Sequence, residues 1–124
     1  MEVNVTSTYQ PHDDLEEIRV KEGGREVSVL AGCNRNGIEF FYYRITKWHQ
    51  PFDADPFTEE DRTRLAAAIY DHFTARGRRV GIDHRRFCPR CNEILEGSES
   101  KDWPGATCDF CGREVDRFGN LVSD

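Results

Sequence analysis

Apolar and polar residues alternate along much of the first two thirds of the chain, and the period of that alternation changes from that of a strand to that of a helix and back. In residues 16–22, Ile18 and Val20 fall on one side of a two-residue repeat, which predicts a half-buried strand. Gly23-Gly24 follows, a pair suited to a tight hairpin turn. Residues 26–31 predict the returning strand, with Val27 and Val29 on one face, Leu30 on the other, and Cys33 at its end as a small buried residue. The turn cluster Asn34-Arg35-Asn36-Gly37 leads into residues 38–46, where Ile38, Phe40 and Tyr42 alternate with Phe41, Tyr43 and Ile45. Apolar residues on both faces predict a central strand that needs a cover on each side. Residues 1–15 are mostly polar and are expected to form a flexible lead-in.

The period then shifts to that of a helix. Residues 48–57 carry Pro51, Pro56, Trp48, Phe52 and Phe57, a loop whose aromatics either plug a core edge or recognise a partner. Thr58 is a good N-cap, and Glu59, Glu60 and Asp61 lie where the helix dipole favours negative charge. Leu65, Ile69 and Phe73 form an apolar stripe with His72 at its edge, and Gly77 marks the end. Val80 and Ile82 then predict a short last strand in residues 78–83. The whole of residues 16–83 is expected to be an α+β domain, an antiparallel β-meander with one amphipathic helix. One helix covers one sheet face, so an aromatic face, Phe41/Tyr43 or Phe40/Tyr42, is expected to seek a partner.

The tail carries the chemistry. Cys88-Pro89-Arg90-Cys91 is answered by Cys108-Asp109-Phe110-Cys111. Two such pairs supply four soft ligands for a tetrahedral zinc at about 2.3 Å. Iron takes the same ligand set, and redox thiols or disulfides are weaker alternatives. Asn92 and Gly112 follow the two pairs, and both residue types tolerate the left-handed backbone of a tight turn. Residues 87–122 resemble the zinc-ribbon family. The resemblance implies that Cys88, Cys91, Cys108 and Cys111 are the ligands and that residues 84–124 form a zinc-ribbon domain. Zn²⁺ is the expected cofactor, and a site closed by four protein ligands has no corner for a substrate.

Charge narrows the partners. The net charge is −6, and four thiolates with one Zn²⁺ bring it near −8 (−6 − 4 + 2). Residues 76–90 run against this, with six arginines and one aspartate. Arg78, Arg79, Arg85 and Arg86 are candidate contacts to a partner, alongside Phe41, Tyr43 and Trp48. The band either meets phosphates or pairs with the protein's own carboxylates. No run of about 18 apolar residues predicts a membrane span, and no secretory pattern opens the chain, so the cytoplasm is expected.

Ile45-Thr46-Lys47-Trp48, Pro51 and the run from Pro56 to Arg62 give residues 16–83 a resemblance to bacterial immunity proteins that guard against polymorphic toxins. That resemblance implies a protein that binds and blocks another protein. The leading expectation is therefore a small intracellular zinc-binding protein acting through protein–protein interaction. The alternative is a nucleic-acid-binding protein that uses residues 76–90. No nucleophile elbow, phosphate loop or paired acid–base motif appears in the sequence, and an enzyme is not expected.

Overall fold

A computed structural model describes residues 3–34 and 37–122. The chain divides into two compact units, Met1–Ile82 and Asp83–Asp124. The first is built on a five-stranded sheet, and the second carries a small two-stranded one. No helix among the described residues is long and apolar enough to cross a membrane.

The first unit runs β1 (Val3–Gln10), β2 (Leu15–Glu22), β3 (Arg25–Asn34), β4 (Gly37–Phe41), a 3₁₀ turn (Tyr42–Arg44), α1 (Glu59–Thr74) and β5 (Arg79–Asp83). The strands lie in the order β1-β2-β3-β4-β5. β1 to β4 pair antiparallel, with Ile18 opposite Val29 and Val20 opposite Val27. The β2–β3 turn places Gly23 at φ 56 and Gly24 at φ 83, the primed geometry that glycine adopts without strain. The expected hairpin turn at Asn36-Gly37 lies partly outside the described residues.

Three expectations are corrected. Residues 3–10 are a strand, not a lead-in. Val3 and Val5 pack against the core while Asn4 and Thr6 point outward, and threonine and tyrosine suit a pleated edge even though the stretch is polar on average. The sheet is also not a pure meander. A Cβ added at Gly37 would lie 2.3 Å from the Arg79 carbonyl oxygen, and one at Gly81 would lie 3.2 Å from Glu39 Oε2. These approaches advance in the same direction along both strands, so β5 runs parallel to β4, joined to it through α1. Finally, β4 stops at Phe41. The Tyr42 hydroxyl bonds to Glu59 Oε1 at 2.9 Å and Thr63 Oγ1 at 2.8 Å, and Arg62 Nε donates to the Ile45 carbonyl at 2.8 Å. Contacts to the first turns of α1 thus pull residues 42–45 off the sheet.

That early stop removes the aromatic face expected to need a partner. Phe40, Tyr42 and Ile45 join Ile18, Val20, Val27, Leu65, Ile69 and Phe73 in one core, with Tyr43 packed at its edge. The face turned away from α1 carries Glu17, Arg19, Lys21, Ser28 and Glu39, with Leu30 52% exposed among them. α1 itself opens as the sequence predicts. Thr58 Oγ1 accepts from Asp61 N, and Asp61 Oδ2 accepts from Thr58 N, a complete capping box.

Two carboxylates sit on the inner face of β2 beside Ile18 and Val20. Glu16 is buried and receives Arg78 Nη1 at 2.8 Å. Glu22 is buried and receives Arg64 Nε at 2.7 Å and Nη2 at 2.6 Å. The hydrogen-bonded guanidinium holds Glu22 below its ordinary value of 4.5. A carboxyl lowered on folding stabilises above its unfolded pKa, and that contribution fades as pH falls through the folded value. The wild-type protein is therefore expected to lose stability below about pH 4.5 faster than Glu22→Gln does. The variant starts lower at neutral pH, and the two denaturation midpoints converge in acid. Parallel pH profiles would show that the pair adds nothing.

Candidate metal centre

The second unit repeats one local design. Phe87 bridges Ile94 across the first Cys-x-x-Cys turn, and β6 (Ala106–Thr107) pairs with β7 (Glu114–Val115) across the second, Thr107 opposite Glu114. Inside each hairpin the backbone folds the same way. Asn92 N donates to the Cys88 carbonyl at 2.7 Å, and Gly112 N donates to the Cys108 carbonyl at 2.9 Å. Cys88 N then reaches the Glu93 carbonyl at 3.0 Å, and Cys108 N reaches the Arg113 carbonyl at 2.8 Å. Asn92 at φ 63 and Gly112 at φ 74 make the reversal, in the left-handed region that the two residue types predict.

The reversal turns both thiols of each pair inward, and all four Sγ atoms lie within 4.8 Å of one another. Cys88 Sγ is 3.7 Å from Cys111 Sγ, and Cys108 Sγ is 3.8 Å from Cys91 Sγ. These are not disulfides, whose sulfurs approach to about 2.05 Å. A tetrahedral zinc with bonds of about 2.3 Å sets its sulfurs about 3.8 Å apart, which those two separations match. Cys88 and Cys108 are buried, and Cys91 and Cys111 are partly exposed.

Local electrostatics split the thiols. The backbone N–H groups of Cys111 and Phe110 hold the Cys108 thiol down to about 7. A hydrogen bond with Cys111, together with burial, pushes Cys91 up to about 12. Neighbouring thiols share protons in this way, and a dication among them favours the thiolate at every corner.

A small core supports the cage, in which Leu95, Trp103 and Val115 are buried against the cysteines. Arg86 is 4% exposed and belongs to this unit's interior. Its Nε donates to the Arg117 carbonyl at 2.9 Å, and its Nη1 donates to the carbonyls of Ser98 and Ser100. Arg86 N donates to Ser98 Oγ at 2.7 Å. This arginine closes the loop between the two hairpins, a structural role that its place in a basic run conceals.

Comparison with known protein families, with curated proteins and with solved structures finds no match.

The remaining candidate residues each have their own surroundings. Trp48 is 0% exposed and packs edge-on against Phe57 at 5.2 Å, so it plugs the first core and offers nothing to a partner. Phe41 is half-buried, and Tyr43 lies beneath the Arg62 guanidinium at 5.0 Å. Arg78 is tied to Glu16, and Arg85 pairs with Asp83 at 2.7 Å. Arg79 and Arg90 are exposed.

Proposed function

We propose that this protein holds a structural zinc in its second unit and acts by binding another protein of basic character. The observation that carries the reading is the fate of the arginine band. Arg78 and Arg85 are neutralised by Glu16 and Asp83, and Arg86 is buried. Two of its six positive charges are thus ion-paired and a third is buried, and the net acidity of the chain is left to dominate its field. An acidic field steers a basic protein toward it and phosphate away. An immunity-type inhibitor of a basic toxin is one protein of this kind. The zinc, closed in by four thiolates, shapes the unit and performs no hydrolysis. A reducing intracellular compartment suits four unbridged thiols.

A second reading draws on Arg90 and Phe110, each third in its Cys-x-x-Cys turn, with Phe110 74% exposed. An exposed aromatic and an exposed cation in one small unit suit a single-stranded nucleic acid. One pair of experiments separates the readings. Titration with single- and double-stranded DNA and RNA at low salt is expected to give no complex. Capture on immobilised zinc-loaded protein is expected to retain a basic protein that salt releases. A nucleic acid complex whose affinity falls steeply with salt would reverse the assignment.

A further inference from the structure

The open face of the first sheet brings three side chains of unlike chemistry together. Glu26 and Ser28 stand two apart on β3 and so share a face. After the 3₁₀ turn the chain returns beside β3, where His49 N donates to the Glu26 carbonyl at 2.7 Å. The His49 ring then reaches both side chains. Its Nδ1 lies 3.2 Å from Glu26 Oε2, and its Nε2 lies 2.9 Å from Ser28 Oγ. A carboxylate only accepts, so Nδ1 carries the ring proton and Nε2 accepts from the Ser28 hydroxyl. Glu26 Oε1 is buried with no hydrogen-bond partner among the described residues.

A cleft of about 490 Å³ opens on the Glu26 and His49 side of this group, lined also by Lys21, Gly24, Pro51 and Phe52, with Ser28 just outside its lining. That volume suits a small organic molecule. In the strand register Arg19 stands opposite Ser28, and Lys21 opposite Glu26. Arg19 Nε is paired with Glu17 Oε1 at 2.9 Å and Lys21 lines the cleft, so two cationic side chains share the sheet face on which an oxyanion on a Ser28 adduct would form.

We propose that Ser28, His49 and Glu26 are nucleophile, general base and orienting carboxylate of an acyl-transfer site for small carboxylic esters. Ser28 Oγ bonds to the ester carbonyl carbon while its proton passes to His49 Nε2. The adduct collapses with cleavage of the bond to the alkoxy oxygen, which leaves as an alcohol carrying that proton. Water then attacks the acyl-serine, giving a proton to His49. The Ser28 ester bond breaks, the carboxylic acid departs, and the hydroxyl regains its proton. One ester and one water become one acid and one alcohol. Arg19 and Lys21 act as oxyanion stabilisers.

The test uses the full zinc-loaded chain and a fluorophosphonate probe, which bonds phosphorus to an activated serine and expels fluoride. Peptide mapping is expected to place the adduct on Ser28, and Ser28→Ala is expected to abolish it. His49→Gln slows labelling about a hundredfold, the usual worth of a general base. Hydrolysis of p-nitrophenyl acetate should fall in parallel. A wild-type protein labelled no faster than S28A overturns the proposal, as does H49Q labelled at the wild-type rate. Thermal melting checks each fold. Should H49Q not fold, Glu26→Gln decides: slower labelling supports the site and an unchanged rate overturns it.

Discussion

If the second unit holds zinc as proposed, replacing Cys91 by Ser is expected to abolish that binding and unfold the unit, while the first unit keeps its own unfolding transition. The buried cluster of the second unit is Cys88, Leu95, Trp103, Cys108 and Val115, two of them members of the cage. Its regular sheet is two strands of two residues each. So little apolar burial cannot offset the entropy of ordering the chain, so the metal must supply most of the folding free energy. Structural zinc in comparable small modules is worth about 10–16 kcal/mol at neutral pH. A hydroxyl in place of one thiolate leaves a three-sulfur site that holds the ion far more weakly. Metal analysis should fall from one zinc per chain to well below it. Limited proteolysis should cut within residues 84–124 and spare the rest. A strong chelator added to the wild type should reproduce the pattern. A serine variant that keeps stoichiometric zinc and full protease resistance would contradict this account.

The second large effect is expected at Trp48. Its ring is fully buried, edge-on to Phe57 at 5.2 Å, with the Arg25 guanidinium 4.1 Å from the ring centroid and Nε1 donating to the Pro56 carbonyl at 3.4 Å. Trp48→Ala opens a cavity that rigid strands cannot collapse, at about 3–5 kcal/mol. It also leaves Arg25 without its aromatic face, worth roughly a further 0.5–1 kcal/mol. For a domain of this size that is a large share of a typical stability of about 5–15 kcal/mol. Urea unfolding of the first unit should show a lowered midpoint with an unchanged slope. Trp48→Phe refills much of the space and should recover more than half of the loss. Equal destabilisation by Ala and Phe would mean that the indole's polar edge, not its volume, matters there.

Local patterns were legible in the sequence and distant pairings were not. The β2–β3 hairpin was written in Gly23-Gly24 and in Val27 and Val29, the capping box in Thr58 and Asp61, and the knuckles in the cysteine spacing with Asn92 and Gly112. Each of these is settled within about ten residues. β1 escaped because its inward residues, Val3 and Val5, are diluted by threonine and serine. Continued alternation past Phe41 read as a longer β4, and only the hydroxyl and guanidinium contacts to α1 show why the chain leaves the sheet. Glu16 and Glu22 fall by alternation on the face of Ile18 and Val20, where nothing local names a partner. Their partners Arg78 and Arg64 lie 62 and 42 residues away, a pairing no periodicity reveals. The same distance effect hid His49, which looked isolated although Ser28 and Glu26 stand 21 and 23 residues before it.

The parallel placement of β5 bears on how the protein is made. A nascent chain that has emerged only as far as α1 presents β4 with a bare edge, open to pairing with any other extended segment. That exposure ends when residues 79–83 leave the ribosomal tunnel and slot in beside β4. The very next residues are those of the first knuckle, so the sheet is sealed before either cysteine pair is available to capture metal. A chain released before Arg79 would therefore be prone to aggregate, and one released after Asp83 would keep the β4 edge covered.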